Sequence, residues 1–134
     1  MSFSKYPTPM ISSILVVDDS KSSRKVNLAL LHELMGDSVT YLEASGGEEA
    51  LATLTSQTVD LVLLDLTMPG MNGFDVLAEM RRLGLSSRVI VVSADIQRVA
   101  KERVAALGAV GFIEKPIRLE PLRAVLAPFG ANHG

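Results

Sequence analysis

Charged and polar residues stand where four apolar runs of this chain stop. Asp18 and Asp19 follow Ile14-Leu15-Val16-Val17, and Asp65 ends Val59-Asp60-Leu61-Val62-Leu63-Leu64. Ser93 follows Val89-Ile90-Val91-Val92, and Lys115-Pro116 comes just after Val110-Gly111-Phe112-Ile113. A carboxylate at the end of a buried strand is costly unless something pairs with it. In a parallel sheet the C-terminal strand ends gather along one edge, the edge that binds ligands. Three carboxylates, a hydroxyl and an ammonium would then converge. Hard carboxylate oxygens suit a divalent cation. An ammonium and a hydroxyl suit the oxygens of a phosphoryl group.

The elements that must carry these residues alternate along the chain. Strands are expected at about 13–17, 39–43, 59–64, 89–92 and 110–113. The first helix is expected from near Ser20, a plausible N-cap, to Gly36, a plausible C′ residue. It carries Val26, Leu30 and Leu34 at four-residue spacing. Helices are further expected at about 47–54, 73–83, 96–107 (closed by Gly108) and 119–126. Pro121 falls in the first turn of the last helix, where a missing N–H breaks no bond. Five strands alternating with five helices predict an α/β fold, a doubly wound five-stranded parallel sheet covered on both faces. The second strand alternates in polarity and reads as an edge. The order 2-1-3-4-5 fits.

Composition bounds the rest. The chain has 134 residues, 48% of them hydrophobic and 4% aromatic, so one domain with an aliphatic core is expected. The net charge of −2 argues against direct nucleic-acid binding. No apolar run approaches the length of a membrane span, and there is no cysteine for disulfide or thiol chemistry. Residues 1–12 read as a disordered leader and 129–134 as a flexible tail. A cytoplasmic location is the default expectation.

The acidic pair Asp18-Asp19, the stretch Asp65-Leu66-Thr67-Met68-Pro69-Gly70-Met71-Asn72-Gly73, Ser93-Ala94 and Lys115-Pro116 occur in order at strand ends. Together they resemble the receiver domain of two-component response regulators. The resemblance covers about 14–126 and implies a flavodoxin-like (βα)5 fold, with a receiver domain at 13–128. It implies phosphoryl transfer from a phosphohistidine on a histidine kinase or phosphotransfer protein to an aspartate, with Mg²⁺ required and Mn²⁺ as a substitute.

Carried over residue by residue, the resemblance makes Asp65 the phosphoacceptor. It gives the metal to Asp18, Asp19, Asp65 and the backbone carbonyl of Thr67, with Asp19 binding directly and Asp18 mainly through water. Asp19 also suits the positive end of the first helix. Lys115 and Ser93 would contact the phosphoryl group, and the resemblance places the Lys115-Pro116 bond in cis. Phe112 occupies the place of a switch aromatic, or is simply a strand residue of the core. Thr67 and Asp95 flank the site where they can govern water, and Asp95 equally suits a helix N-cap. His32 and His133 read as surface residues. Arg98, Lys101 and Arg103 read as a solvated face or part of an output surface.

The expected function is a stand-alone regulator, since only about eight residues follow the fifth helix. It would be a switch that assists its own phosphorylation, rather than a metabolic enzyme. Its helix-four, strand-five and helix-five face would change affinity for a downstream protein, with the chain a monomer or a phosphorylation-dependent dimer. A chemotaxis-type signal, a phosphorelay intermediate and a phosphorylation-independent pseudo-receiver scaffold stand beside one another. A flavodoxin-like cofactor carrier is disfavoured, because Asp18-Asp19 would repel a cofactor phosphate. An aspartyl phosphatase is disfavoured because Asp18-Asp19-Ser20 lacks the Asp-x-Asp spacing.

Overall fold

A computed structural model describes residues 11–94 and 98–130. The strands are β1 (Ser13–Val17), β2 (Thr40–Ala44), β3 (Leu61–Asp65), β4 (Arg88–Ser93) and β5 (Gly111–Glu114). The helices are α1 (Lys21–Met35), α2 (Gly47–Ser56), α3 (Gly73–Arg82), α4 (Arg98–Ala106) and α5 (Leu119–Leu126). All strand pairs are parallel, in the order β2-β1-β3-β4-β5. The doubly wound architecture expected from the sequence is the one observed, with β2 at an edge.

The continuous apolar runs are explained by burial on both faces. Side chains alternate across a strand. Thus Leu15, Val17, Val62, Leu64, Val89 and Val91 join one core layer, with Ala50 and Leu54 of α2, Val76, Leu77 and Met80 of α3, and Val104 of α4. Ile14, Val16, Leu61, Leu63, Ile90 and Val92 join the other, with Leu31 and Leu34 of α1 and Leu122 and Leu126 of α5.

The caps explain where several helices start. Ser20 Oγ accepts from the Ser23 N–H at 3.3 Å. Asn72 and Asp75 form a reciprocal capping box at α3, with bonds of 3.0 and 3.2 Å. Gly36 closes α1 at φ +84° and donates to the His32 carbonyl, a conformation that favours glycine.

Two expectations are corrected. The buried face of α1 is Asn27, Leu31 and Leu34, while Val26 is 55% exposed and Leu30 only half-buried. A strict four-residue step overshoots the 3.6-residue turn, so the real stripe mixes steps of four and three. β3 begins at Leu61 rather than Val59. The Asp60 carboxylate accepts the N–H groups of Ser12 and Ser13, at 2.7 and 3.2 Å, and so caps the entry of β1. The start expected for the fourth helix, 96, lies outside the described residues, as do residues 1–10 of the expected leader. At the other end, Phe129, read as part of the tail, packs on the α1/α5 core layer, with the Arg88 guanidinium 5.6 Å from its ring centroid.

Leu122 is fully buried and pins α5 to the sheet. Leu122→Ala should lower the free energy of unfolding by about 2–5 kcal/mol, read as a lower urea midpoint at unchanged slope. A loss below about 1 kcal/mol would contradict this packing.

Candidate functional site

The C-terminal ends of β1, β3, β4 and β5 bring together the residues singled out in the sequence. Asp18 follows β1 directly and is 1% exposed, Asp65 ends β3 and is 4% exposed, and Ser93 ends β4 and is fully buried. Lys115 follows β5, where its N–H donates to the Ser93 carbonyl at 2.9 Å. This bond extends the β4–β5 ladder by one residue and aims the lysine across the sheet edge. The Lys115-Pro116 bond is cis.

Lys115 Nζ donates to Asp65 Oδ2 at 3.0 Å and to Asp18 Oδ2 at 3.1 Å. The second oxygen of each carboxylate is also engaged. Asp65 Oδ1 accepts the Thr67 N–H at 3.1 Å, and Asp18 Oδ1 accepts the Ser20 N–H at 2.9 Å. Asp19 is exposed beside them. One carboxylate oxygen from each of Asp18, Asp19 and Asp65 lies within 4.8 Å of the others. This set of hard oxygen donors fits a divalent cation bound by carboxylates and water.

Burial and charge together set the titration. Two of the three carboxylates share one ammonium. Burial pushes the Asp65 carboxyl above the usual carboxylate range, and the Asp18 charge adds to this. The bonds from Lys115 and Thr67 oppose the shift without cancelling it. For Lys115 burial works downward, yet the hydrogen bonds and charges of Asp65 and Asp18 prevail and hold the ammonium above its ordinary value. Lys115 is therefore charged at neutral pH and divided between two acceptors.

The loop after β3 is shaped by backbone contact. The Gly73 N–H donates to the Leu66 carbonyl at 3.0 Å, folding the loop back over the strand end. A Cβ at Gly73 would stand 2.6 Å from the Asp65 carbonyl oxygen and 2.8 Å from Leu66 Cα, so only glycine fits. Thr67 and Ser93 line one groove with Leu66, Met68, Asn72 and Phe74. Phe112 lies further away on β5, half-buried against the α2/α3/α4 core layer, with Lys101 Nζ 5.4 Å from its ring centroid. The Arg103 guanidinium stands 4.0 Å from the Phe74 ring centroid, so two members of the basic cluster cover aromatic faces. Asp95 and His133 lie outside the described residues. His32 is exposed and paired with Asp37.

Arg24 is a site neighbour that the sequence reading passed over. Its Nη1 donates to the Asp18 carbonyl at 2.7 Å and its Nε to Glu43 Oε1 at 3.0 Å. The available signal was position alone: a basic residue just inside the helix that follows the acidic pair.

The family model for the response regulator receiver domain matches residues 14–127. The chain is 35% identical over 114 residues to the transcriptional regulatory protein CiaR of Streptococcus pneumoniae (strain ATCC BAA-255 / R6), covering 85% of this chain and 49% of that protein. It is 36% identical over 117 residues to the nitrate/nitrite response regulator protein NarL of Escherichia coli (strain K12), covering 86% and 53%. It is 35% identical over 118 residues to the sensor histidine kinase RcsC of Salmonella typhi, covering 87% of this chain and 12% of that protein. The chain thus spans about half or less of these relatives. The crystallised chemotaxis protein CheY4 of Vibrio cholerae superimposes with a TM-score of 0.77 at 27% identity, over 87% of this chain and 97% of that one. The signal receiver domain of the putative response regulator NarL from Mycobacterium tuberculosis gives 0.78 at 28%, over 89% and 95%. This chain belongs to the response regulator receiver domain family. Among the described residues, no helix is long and apolar enough to cross a membrane.

A carboxyl whose folded pKa is raised favours the fold when protonated, and that contribution is lost as pH rises through the folded pKa. With divalent cations removed, Asp65→Asn should therefore melt at a higher temperature than the wild type at pH 7. The difference should shrink as pH falls through the folded-state pKa of Asp65. A lower melting temperature for Asp65→Asn at pH 7 in EDTA would contradict this charge balance.

Proposed function

We propose that Asp65 accepts a phosphoryl group from a phosphohistidine on a partner kinase or phosphotransfer protein, and that the phosphorylated domain changes its affinity for a downstream protein. The observation that carries this reading is Lys115 Nζ, within 3.1 Å of carboxylate oxygens of both Asp65 and Asp18, beside Asp19. That set pairs an acceptor carboxylate with a cation poised for phosphoryl oxygens. Asp18, Asp19 and Asp65, with the Thr67 carbonyl, would hold Mg²⁺ or Mn²⁺. When bound, such a cation neutralises charge on the transferring phosphoryl group.

The chain's own residues do the rest. An Asp65 oxygen attacks phosphorus as the P–N bond to the donor imidazole breaks, and the leaving nitrogen keeps the electron pair. The Thr67 N–H bond orients the Asp65 carboxylate. Lys115, held charged, follows the charge from carboxylate to phosphoryl oxygen. Ser93, at the end of β4, offers its hydroxyl to the new acceptor oxygens. The acyl phosphate then favours the arrangement with Ser93 and Lys115 drawn toward it. Phe112 repacks on β5 as Ser93 moves. The α4, β5 and α5 face is thereby switched for a partner. The proposed location is the cytoplasm, and the proposed role that of a switch acting through this domain.

Intact-protein mass after incubation with acetyl phosphate tests the reading. The wild type should gain one phosphoryl group in a Mg²⁺-dependent way, and Asp65→Asn should gain none. A persistent adduct on Asp65→Asn would move the acceptor elsewhere. Failure of the wild type to accept either acetyl phosphate or beryllofluoride would favour a phosphorylation-independent scaffold.

A further inference from the structure

We propose that Arg24 is a positioning residue for the divalent cation, acting through the Asp18 peptide with Glu43 as its anchor. The inference rests on the cation site proposed above and adds a residue outside it.

Asp19 is exposed, and among the described residues no side-chain hydrogen bond fixes its carboxylate. Its location therefore depends on its backbone. The Asp18 carbonyl and the Asp19 N and Cα share one rigid peptide plane. Holding that carbonyl holds the plane from which the Asp19 side chain departs. Arg24 Nη1 holds it at 2.7 Å. On the other side of Asp18, its N–H donates to the Ala44 carbonyl of β2 at 3.1 Å. The backbone of Asp18 is thus held at both its N–H and its carbonyl.

The clamp is itself anchored. Arg24 Nε donates to Glu43 Oε1 at 3.0 Å, and the arginine side chain is only 14% exposed. Glu43 and Ala44 are neighbours on the edge strand β2, so both ends of the clamp trace back to one strand. A planar guanidinium presents its donors in a rigid fork, whereas an ammonium is a point charge on a flexible stem. Arg24 spends its donors on a backbone carbonyl and on Glu43, leaving the oxygens of Asp18 and Asp65 to Lys115 and the backbone amides. Its role toward the cation is therefore geometric.

Geometry and charge make opposite predictions here. By Coulomb's law alone, removing a positive side chain beside a cation site tightens cation binding. Removing a group that orients a ligand from outside the coordination shell weakens metal binding, typically about 10- to 100-fold. The test is direct Mn²⁺ binding to the full chain, read from the electron paramagnetic resonance signal of free Mn²⁺. The variants are Arg24→Met, Arg24→Lys, Glu43→Gln, the Arg24→Met/Glu43→Gln double variant and Asp19→Asn, with melting curves in EDTA to confirm folding.

Arg24→Met should weaken Mn²⁺ binding about 10-fold or more. Arg24→Lys should fall between it and the wild type, because an ammonium can still donate to the Asp18 carbonyl but lacks the fork that also reaches Glu43. Glu43→Gln should weaken binding by less, and adding it to Arg24→Met should cost nothing further. Unchanged or tighter binding by Arg24→Met overturns the inference. Should Arg24→Met fail to fold, wild-type affinity in both Arg24→Lys and Glu43→Gln overturns it instead. A wild type that binds no Mn²⁺ overturns the cation-site reading and this inference with it. Loss of binding in Asp19→Asn beside wild-type binding in Arg24→Met overturns this inference alone.

Discussion

Lys115 Nζ is shared between a carboxylate oxygen of Asp65, at 3.0 Å, and one of Asp18, at 3.1 Å. Both carboxylates are buried at strand ends, and a third, Asp19, stands exposed beside them. One ammonium cannot compensate three carboxylates, so the site carries an excess of negative charge in a partly desolvated place. Burial, with the Asp18 charge added to it, raises the Asp65 pKa. The imbalance costs stability, and a divalent cation bound by these oxygens would relieve it. The surrounding structure holds this arrangement in place.

Three strands must end at the same level for that sharing to exist. Asp18 leaves β1, Asp65 ends β3, and Lys115 follows β5 from two strands away, so the ammonium reaches across the end of β4. The parallel registers fix this, pairing Val17 with Leu64, Asp65 with Val92, and Ser93 with Glu114. Ser93 ends β4, the strand between the one that ends in Asp65 and the one that leads to Lys115. The same β4 end leads toward α4, and β5 carries Phe112. A change of charge at Asp65 therefore bears on the elements that form the proposed partner face.

Much of this was legible in the sequence, for a physical reason. Strands buried on both faces must be continuously apolar, so β1, β3 and β4 announce themselves, and the polar residues that end them stand out by contrast. The alternation of β2 marks an edge, and the topology bears that out. The side-chain face of α1 was less legible. Val26, Leu30 and Leu34 look periodic, but the buried stripe runs through Asn27, Leu31 and Leu34, one of them polar. The start of β3 was obscured because Val59-Asp60 continues the apolar run, while Asp60 is used as a cap for β1. Arg24 was legible by position alone. Its site partner is a backbone carbonyl, present at every residue, and its anchor Glu43 reads as an ordinary exposed edge residue.

The measurement that bears most directly on the central claim is the melting temperature by scanning calorimetry with Mg²⁺ alone, beryllofluoride alone, and both together. A site whose carboxylate excess must be relieved before it accepts a phosphoryl-like anion predicts little stabilisation by beryllofluoride alone. It predicts a modest rise with Mg²⁺ and a larger rise with both, absent in Asp65→Asn. A ligand held 100-fold above its Kd would contribute about 2.7 kcal/mol, a shift of several degrees for a domain of this size. Equal stabilisation by beryllofluoride with and without Mg²⁺, or in Asp65→Asn, would contradict the account.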